Sequence, residues 1–379
     1  MKVQVTCGQL AATLLISRLL SNCVNIPAVT ANYNMQTFAV TVIVKVVALA
    51  LLTAPMCLNR MTRTAVNADA PGINFFDIIA GKSKVAGWIL FIPLGGFLFF
   101  QALLTSVMLE FFVGNTIMDT ASSTVLTILC GAGVAYCFIK GIKAVCKAGS
   151  VIMCVFIAVF VLCSIPLIFN ERWYYLYPKI FDQPNELLEQ MRNEMVKCWE
   201  LFAFLILGKY VKRSPNKTVF LYMPASLIIL ELMHLTYVVM FGAYLNEISF
   251  PLYSLASLTD IVIFPRLDGL DVFIWTVSAV LRITLLMMSF TSLLETLLGN
   301  SKIAKRIGIV FMVIGNVMSA YVSETGRGLM KGSYWVWDVA YFGVFLIAAP
   351  VAAMIIFKTA GGRPKIPSES TAGENNPSI

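Results

Sequence analysis

Seven ionisable residues stand where ionisable residues are rare: Arg18, Lys45, Glu110, Glu200, Glu231, His234 and Arg282 each fall in a stretch of mostly apolar residues. A charge in such surroundings is costly, so it either pairs with another group or handles a substrate or proton. Three acids against three bases and one histidine nearly neutralise one another, which makes pairing within a helix bundle the simplest account. Glu231 and His234 are three residues apart and share one helix face. Glu110, Glu231, His234 and Arg282 are therefore the candidates for ion or proton coupling, or for pairing inside the bundle. Lys45 carries a stem long enough to snorkel towards a polar boundary.

A second constellation is the polar run Ser21-Asn22-Cys23-Val24-Asn25 ahead of Pro27. Ser and Asn compete for backbone hydrogen bonds, and Pro27 cannot donate one to the carbonyl of Cys23. The outcome is either a simple proline kink or a break near residues 21–26. A break would present amides and carbonyls at membrane depth, tolerated only where they line a cavity or are buried in protein.

Catalytic chemistry lacks its parts. There is no G-x-S-x-G, H-E-x-x-H or P-loop, and no apolar stretch holds a central Asp. A single histidine cannot build a His-based metal site. Nine Cys without a C-x-x-C act as small hydrophobes, not as a disulfide framework or metal centre. Neither an enzyme nor a cofactor is expected.

The elements that must position these residues are membrane helices. About 20 mostly apolar residues span a bilayer, and ten stretches qualify: 8–30, 37–58, 86–113, 120–139, 149–169, 194–211, 217–243, 270–298, 304–323 and 335–357. Connections on the N-terminal side carry 18 Lys and Arg, against 6 on the opposite side. Basic residues are retained on the cytoplasmic face, so both termini are expected inside. The chain is 59% hydrophobic and 13% charged, far from the roughly 25% charged of soluble domains. Its net charge of +8 is spread over inner loops and matches anionic lipid, not nucleic acid. The first segment is expected to be retained, because Arg18 interrupts it and only Lys2 precedes it. Residues 1–358 thus form one transmembrane domain, and 359–379 a disordered cytoplasmic tail. Within the connections, 67–84 predicts a short amphipathic helix, 170–193 an aromatic belt and surface helix, and 244–269 a re-entrant or surface helix. The third and eighth spans are the longest, as an inverted repeat of five plus five would have it.

The most distinctive stretch is 250–282, FPLYSLASLTDIVIFPRLDGLDVFIWTVSAVLR. Its F-x-R-x-D core (Phe264, Arg266, Asp268), followed by Trp275 early in the next helix, resembles the spore germination permease family. These are the integral-membrane B subunits of nutrient germinant receptors, similar to amino acid permeases of the amino acid–polyamine–organocation superfamily. Gln9, Pro27, the P-G-x-N-x-x-D-I-I segment from Pro71 to Ile79, Pro178, and Phe241-Gly242 leading to Phe250-Pro251 agree with the resemblance. Two departures stand out. Ser21, Asn22 and Asn25 occupy a region where relatives commonly carry Gly, and the sixth span has no central Gly or Pro to mark a discontinuity.

The resemblance implies an all-α integral membrane protein of ten transmembrane helices in a five-plus-five inverted repeat, the amino acid permease (LeuT-like) fold. It places a small-molecule site at mid-membrane between the first and sixth helices. An amino acid could set its carboxylate at an exposed half-helix N-terminus, where amides and dipole favour anions. The expected ligand-binding residues are Ser21, Asn22, Asn25, Gln101, Glu200, Phe204 and Ser278. Phe264, Arg266, Asp268 and Trp275 form a structural motif, with Arg266 and Asp268 fixing the start of the eighth span. The implied function is a germinant receptor subunit in the spore inner membrane or bacterial cell membrane, binding a small nutrient. Its implied partners are a larger membrane subunit and a lipoprotein. An ion-coupled amino acid transporter of the same fold is the alternative.

Overall fold

A computed structural model of the chain describes residues 5–22, 35–65, 72–116, 123–168, 191, 198, 200–212, 214–258, 268–322, 341 and 343–359. Among them the chain is helical: α1 (Cys7–Asn22), α2 (Met35–Leu51), α3 (Thr53–Ala65), α4 (Phe75–Lys82), α5 (Lys84–Thr116), α6 (Ser123–Lys140), α7 (Ile142–Ile168), α8 (Glu200–Leu207), α9 (Asn216–Phe241), α10 (Pro251–Leu258), α11 (Asp268–Leu298), α12 (Ser301–Val322) and α13 (Ala349–Thr359). Five helical segments are long and apolar enough to cross a membrane: Ala39–Thr62, Lys84–Gly114, Ile142–Ile165, Asn216–Phe241 and Asp268–Leu298.

The bundle is inside-out relative to a water-soluble protein. Ile92 on α5 is 69% exposed and Ile139 on α6 is 75% exposed, whereas Arg18 and Glu200 are at 0%. Only a lipid surround rewards that arrangement, because hydrocarbon solvates the apolar rim and the protein must solvate the charges. Lys45 follows the same rule. It is 5% exposed and does not snorkel, because its mid-helix position points it at the bundle.

Breaks fall where the sequence removes a hydrogen bond. Pro55 has no N–H for the carbonyl of Leu51, and the helix is interrupted at Leu52 between α2 and α3. Gly141 and Gly299, with φ of +84° and +65°, let α6 turn into α7 and α11 into α12 within a few residues. The expected amphipathic helix after the second span is α4, and the expected re-entrant or surface helix before the eighth is α10.

The two longest helices, α5 (33 residues) and α11 (31 residues), pack along each other. Phe91 meets Phe290 at 5.4 Å between ring centres, and Phe112 stacks on Trp275 at 4.3 Å. Helix α1 is enclosed by α7, α9, α11 and α8. It approaches α7 at Gly149, where any β-carbon would collide with Thr13. Small residues at such crossings are how membrane helices come close without a hydrophobic drive.

Candidate functional site

The centre of the bundle is organised by α8. The sequence places the sixth span over 194–211 with no central Gly or Pro to mark a discontinuity; among the described residues its α-helix runs Glu200–Leu207, with a 3-10 turn over Gly208–Tyr210. Cys198 sits in a turn whose carbonyl takes the amide of Leu201 at 3.1 Å. All eight residues of α8 are buried. The helix thus carries Glu200 into the buried centre of the bundle.

Four side chains converge on Glu200 or on its partners. The Tyr222 hydroxyl, from α9, donates to Glu200 Oε1. Arg18 Nε, from α1, lies 3.9 Å from the same oxygen, an ion pair too long for a hydrogen bond. Arg282, from α11, reaches the carbonyl of Ser17 at 3.5 Å and is within electrostatic range of both Glu200 and Arg18. Lys45 Nζ, from α2, stands 5.5 Å from the centre of the Tyr222 ring. Among the atoms here that are buried without a hydrogen bond are Glu200 Oε2, an acceptor, and Lys45 Nζ, a donor. They flank one tyrosine, so the site offers opposite charges to anything that could bridge them.

The remaining expected residues divide. Phe204 is buried on α8 below Glu200, and Gln101 is buried on α5. Ser278 donates to the carbonyl of Ile274 at 2.6 Å and faces a small cleft towards α1. Glu231 and His234 do pair, at 3.9 Å, as their spacing requires. Glu110 accepts from Ser319 of α12 at 3.5 Å, away from the centre. Asp268 opens α11 and accepts from the Gly269 amide, and Trp275 holds its stack on Phe112. Asn25, Phe264 and Arg266 lie outside the described residues, as do the side chains of Ser21 and Asn22. The backbone of α1 stays helical through Asn22, so the expected break does not begin at 21.

Sequence reasoning missed Tyr222 and Asp271. A lone Tyr in an apolar stretch carries no signal until its partner is known. Asp271 was legible, because Asp271, Trp275, Ser278 and Arg282 are spaced 4, 3 and 4 apart and form one stripe on α11.

The N-terminal face is tied off by the P-G-x-N-x-x-D segment. Asn74 and Asp77 form a reciprocal cap on α4, and Asp77 also takes Lys209 at 3.3 Å and Thr296 at 2.6 Å. Gly72 donates to the carbonyl of Lys209, and Val5 pairs with Val211 in a parallel bridge. One node thus joins the chain's start, the end of α8 and the end of α11.

A lipid-facing helical bundle with charge buried at its centre marks an integral membrane protein. The solved structure entitled "Substrate-bound outward-open state of a Na+-coupled sialic acid symporter reveals a novel Na+-site" is similar, with a TM-score of 0.62 at 10% identity, over 93% of this chain and 79% of that one. At that identity the likeness shows the fold, which is LeuT-like. No curated protein matches the chain. The family described as "Spore germination protein" matches residues 14–325, and the chain belongs to it.

Proposed function

We propose that the chain is the nutrient-binding membrane subunit of a germinant receptor of the bacterial endospore, and that its ligand is a small amino acid held between α1 and α8. The observation that carries this is the unbonded pair at the centre, Glu200 Oε2 and Lys45 Nζ, on either side of Tyr222. A buried polar atom without a partner costs about 1–3 kcal/mol, and a charged one more. An amino acid recovers both costs at once, its ammonium meeting Glu200 and its carboxylate meeting Lys45. Arg18 and Arg282 lie within electrostatic range of Glu200 and offset part of its charge. Ser21, Asn22, Asn25, Gln101 and Phe204 belong to the same proposed pocket, while Ser278 opens on the cleft beside α1. Binding shifts the chain between conformations in proportion to its preference for one of them. The larger membrane subunit and the lipoprotein would read that shift, in a membrane that keeps both termini cytoplasmic.

The purified protein, screened by thermal shift against an amino acid and sugar panel, should be stabilised by a short set of amino acids. Glu200→Gln should abolish that stabilisation and the spore's response to the same nutrient, with membrane insertion intact. A normal dose response in the variant overturns the assignment. The buried Glu231–His234 pair favours the second reading, ion-coupled amino acid transport. Accumulation of the nutrient against its gradient by the chain alone in proteoliposomes would establish it.

A further inference from the structure

A second set of polar side chains lies along α11, nearer its start than Arg282. A narrow, partly open cleft, with room inside for little more than one water-sized group, is bounded by Ile16, Leu19 and Leu20 of α1, Phe156 of α7, Leu252 of α10, and Asp271, Ile274, Trp275 and Ser278 of α11. Most of this lining is apolar. Into it α11 delivers a carboxylate, an indole N–H and a hydroxyl. Asp271 is 1% exposed and Trp275 2% exposed. Asp271 Oδ2 and Trp275 Nε1 are buried without a hydrogen-bond partner. The charged group acting on Asp271 is Asp268, which repels it. Helix capping does not explain such a group, because a capping carboxylate spends its oxygens on backbone amides.

The geometry limits what can fill the cleft. Trp275 is locked by its stack on Phe112, itself in contact with Phe250, so the indole cannot swing to find another partner. Ser278 gives its proton to Ile274, so its oxygen faces the cleft as an acceptor. Two side chains therefore offer oxygens, and the aromatic side chains of Trp275 and Phe156 wall the cleft. A hard metal cation wants six or more oxygens. An organic ammonium needs fewer, since aromatic faces can replace some of them.

We propose that Asp271, Trp275 and Ser278 form a recognition site for a primary ammonium group, separate from Glu200. Asp271 neutralises the charge, Ser278 accepts one N–H, and Trp275 and Phe156 wall the cation. Where the ligand is an amino acid, the Trp275 N–H is left to a carboxylate oxygen. The stripe continues to Arg282 one turn further on, so a ligand held here sits on the same helix face as the central cluster. The proposal deepens the nutrient-binding reading by naming the group recognised, and its test is separable from that of Glu200.

The test is thermal unfolding of the full chain in nanodiscs, titrated with methylammonium chloride and, at equal ionic strength, with sodium chloride. Methylammonium should give a saturable rise in melting temperature that sodium does not. Asp271→Asn, which keeps shape and removes charge, should weaken the apparent affinity about tenfold or more. Trp275→Phe, which keeps the stack, should leave a smaller loss, and Asp268→Asn none. An equal shift with sodium, an unchanged shift in Asp271→Asn, or no saturable shift in the wild type, as a trapped water alone would give, overturns the proposal. Should Asp271→Asn fail to fold, calorimetric titration of wild type against Trp275→Phe decides. Loss of the methylammonium shift in Asp271→Asn beside an intact nutrient shift in Glu200→Gln would uphold this site and reject the central one.

Discussion

Replacing Tyr222 with Phe isolates one atom of the central cluster. The ring stays, so the approach of Lys45 at 5.5 Å is kept, since any benzenoid face attracts a cation. What disappears is the hydroxyl that donates to Glu200. A hydrogen bond to a charged acceptor is worth about 1.5–3 kcal/mol, and the site is fully desolvated. Glu200 Oε2 already has no such bond, so the loss leaves its carboxylate dependent on the more distant Arg18. We expect a cost of about 2 kcal/mol, seen as a fall of roughly 2–5 °C in melting temperature for a chain of this size. Glu200→Gln should cost more, about 3–5 kcal/mol, because it removes the negative charge that faces buried Arg18. The two substitutions share one bond, so the double variant should fall short of their sum by about 1 kcal/mol or more. The assay is thermal or detergent-induced unfolding of the four proteins in nanodiscs. A Tyr222→Phe protein as stable as the wild type, with strictly additive effects, would refute the cluster as drawn.

Three other outcomes follow from the packing. Asp77→Ala removes the α4 cap together with the links to Lys209 and Thr296, and should destabilise by about 2 kcal/mol. Faster hydrogen exchange of the α4 amides would report it. Gly149→Ala brings a β-carbon against the hydroxyl, β-carbon and backbone of Thr13 and should cost about 1–3 kcal/mol, only partly relieved by a second change, Thr13→Ala, as melting temperature will show. Ile92→Lys sets a charge on the 69% exposed lipid face at about 2.5–3.5 kcal/mol, and the inserted fraction in a membrane-integration assay should drop accordingly.

The lipid-facing architecture was readable because the bilayer imposes a length and a charge asymmetry that composition records directly. The cap on α4 was readable too, since Asn74 and Asp77 stand at the spacing a reciprocal cap demands. The partners of Glu200 were not. The stretch CWELFAFLILG shows one acid among apolar residues, and what holds that carboxylate comes from other helices, Tyr222 and Arg18. Conversely, Ser21 and Asn22 look like helix breakers, but local polarity did not interrupt α1 at those positions. Sequence locates candidate charges well and pairs them poorly, because Arg18, Glu200, Tyr222 and Arg282 come from four helices. The pair it could read, Glu231 with His234, lies within one.

Receptor and transporter readings share the same centre, so charge balance is where they part. A transporter must let its site be empty while it returns, and an empty centre leaves Lys45 Nζ and Glu200 Oε2 without a hydrogen bond, each raising the energy of the state that exposes neither to water. A coupling ion or proton can relieve that cost on the return step, and the Glu231–His234 pair is the buried group able to carry a proton. A receptor uses the same cost differently. The vacant, frustrated site favours one conformation, the ligand removes the frustration, and the equilibrium moves by the difference. The node at Asp77, which joins the end of α8 to α11 and to the chain's start, gives such a shift a rigid element to act on at the N-terminal face. Removing the charge at Lys45 should therefore separate the two. In a receptor, Lys45→Met relieves the vacant state and weakens ligand discrimination, whereas in a transporter it speeds the empty return and leaves exchange slower than net flux.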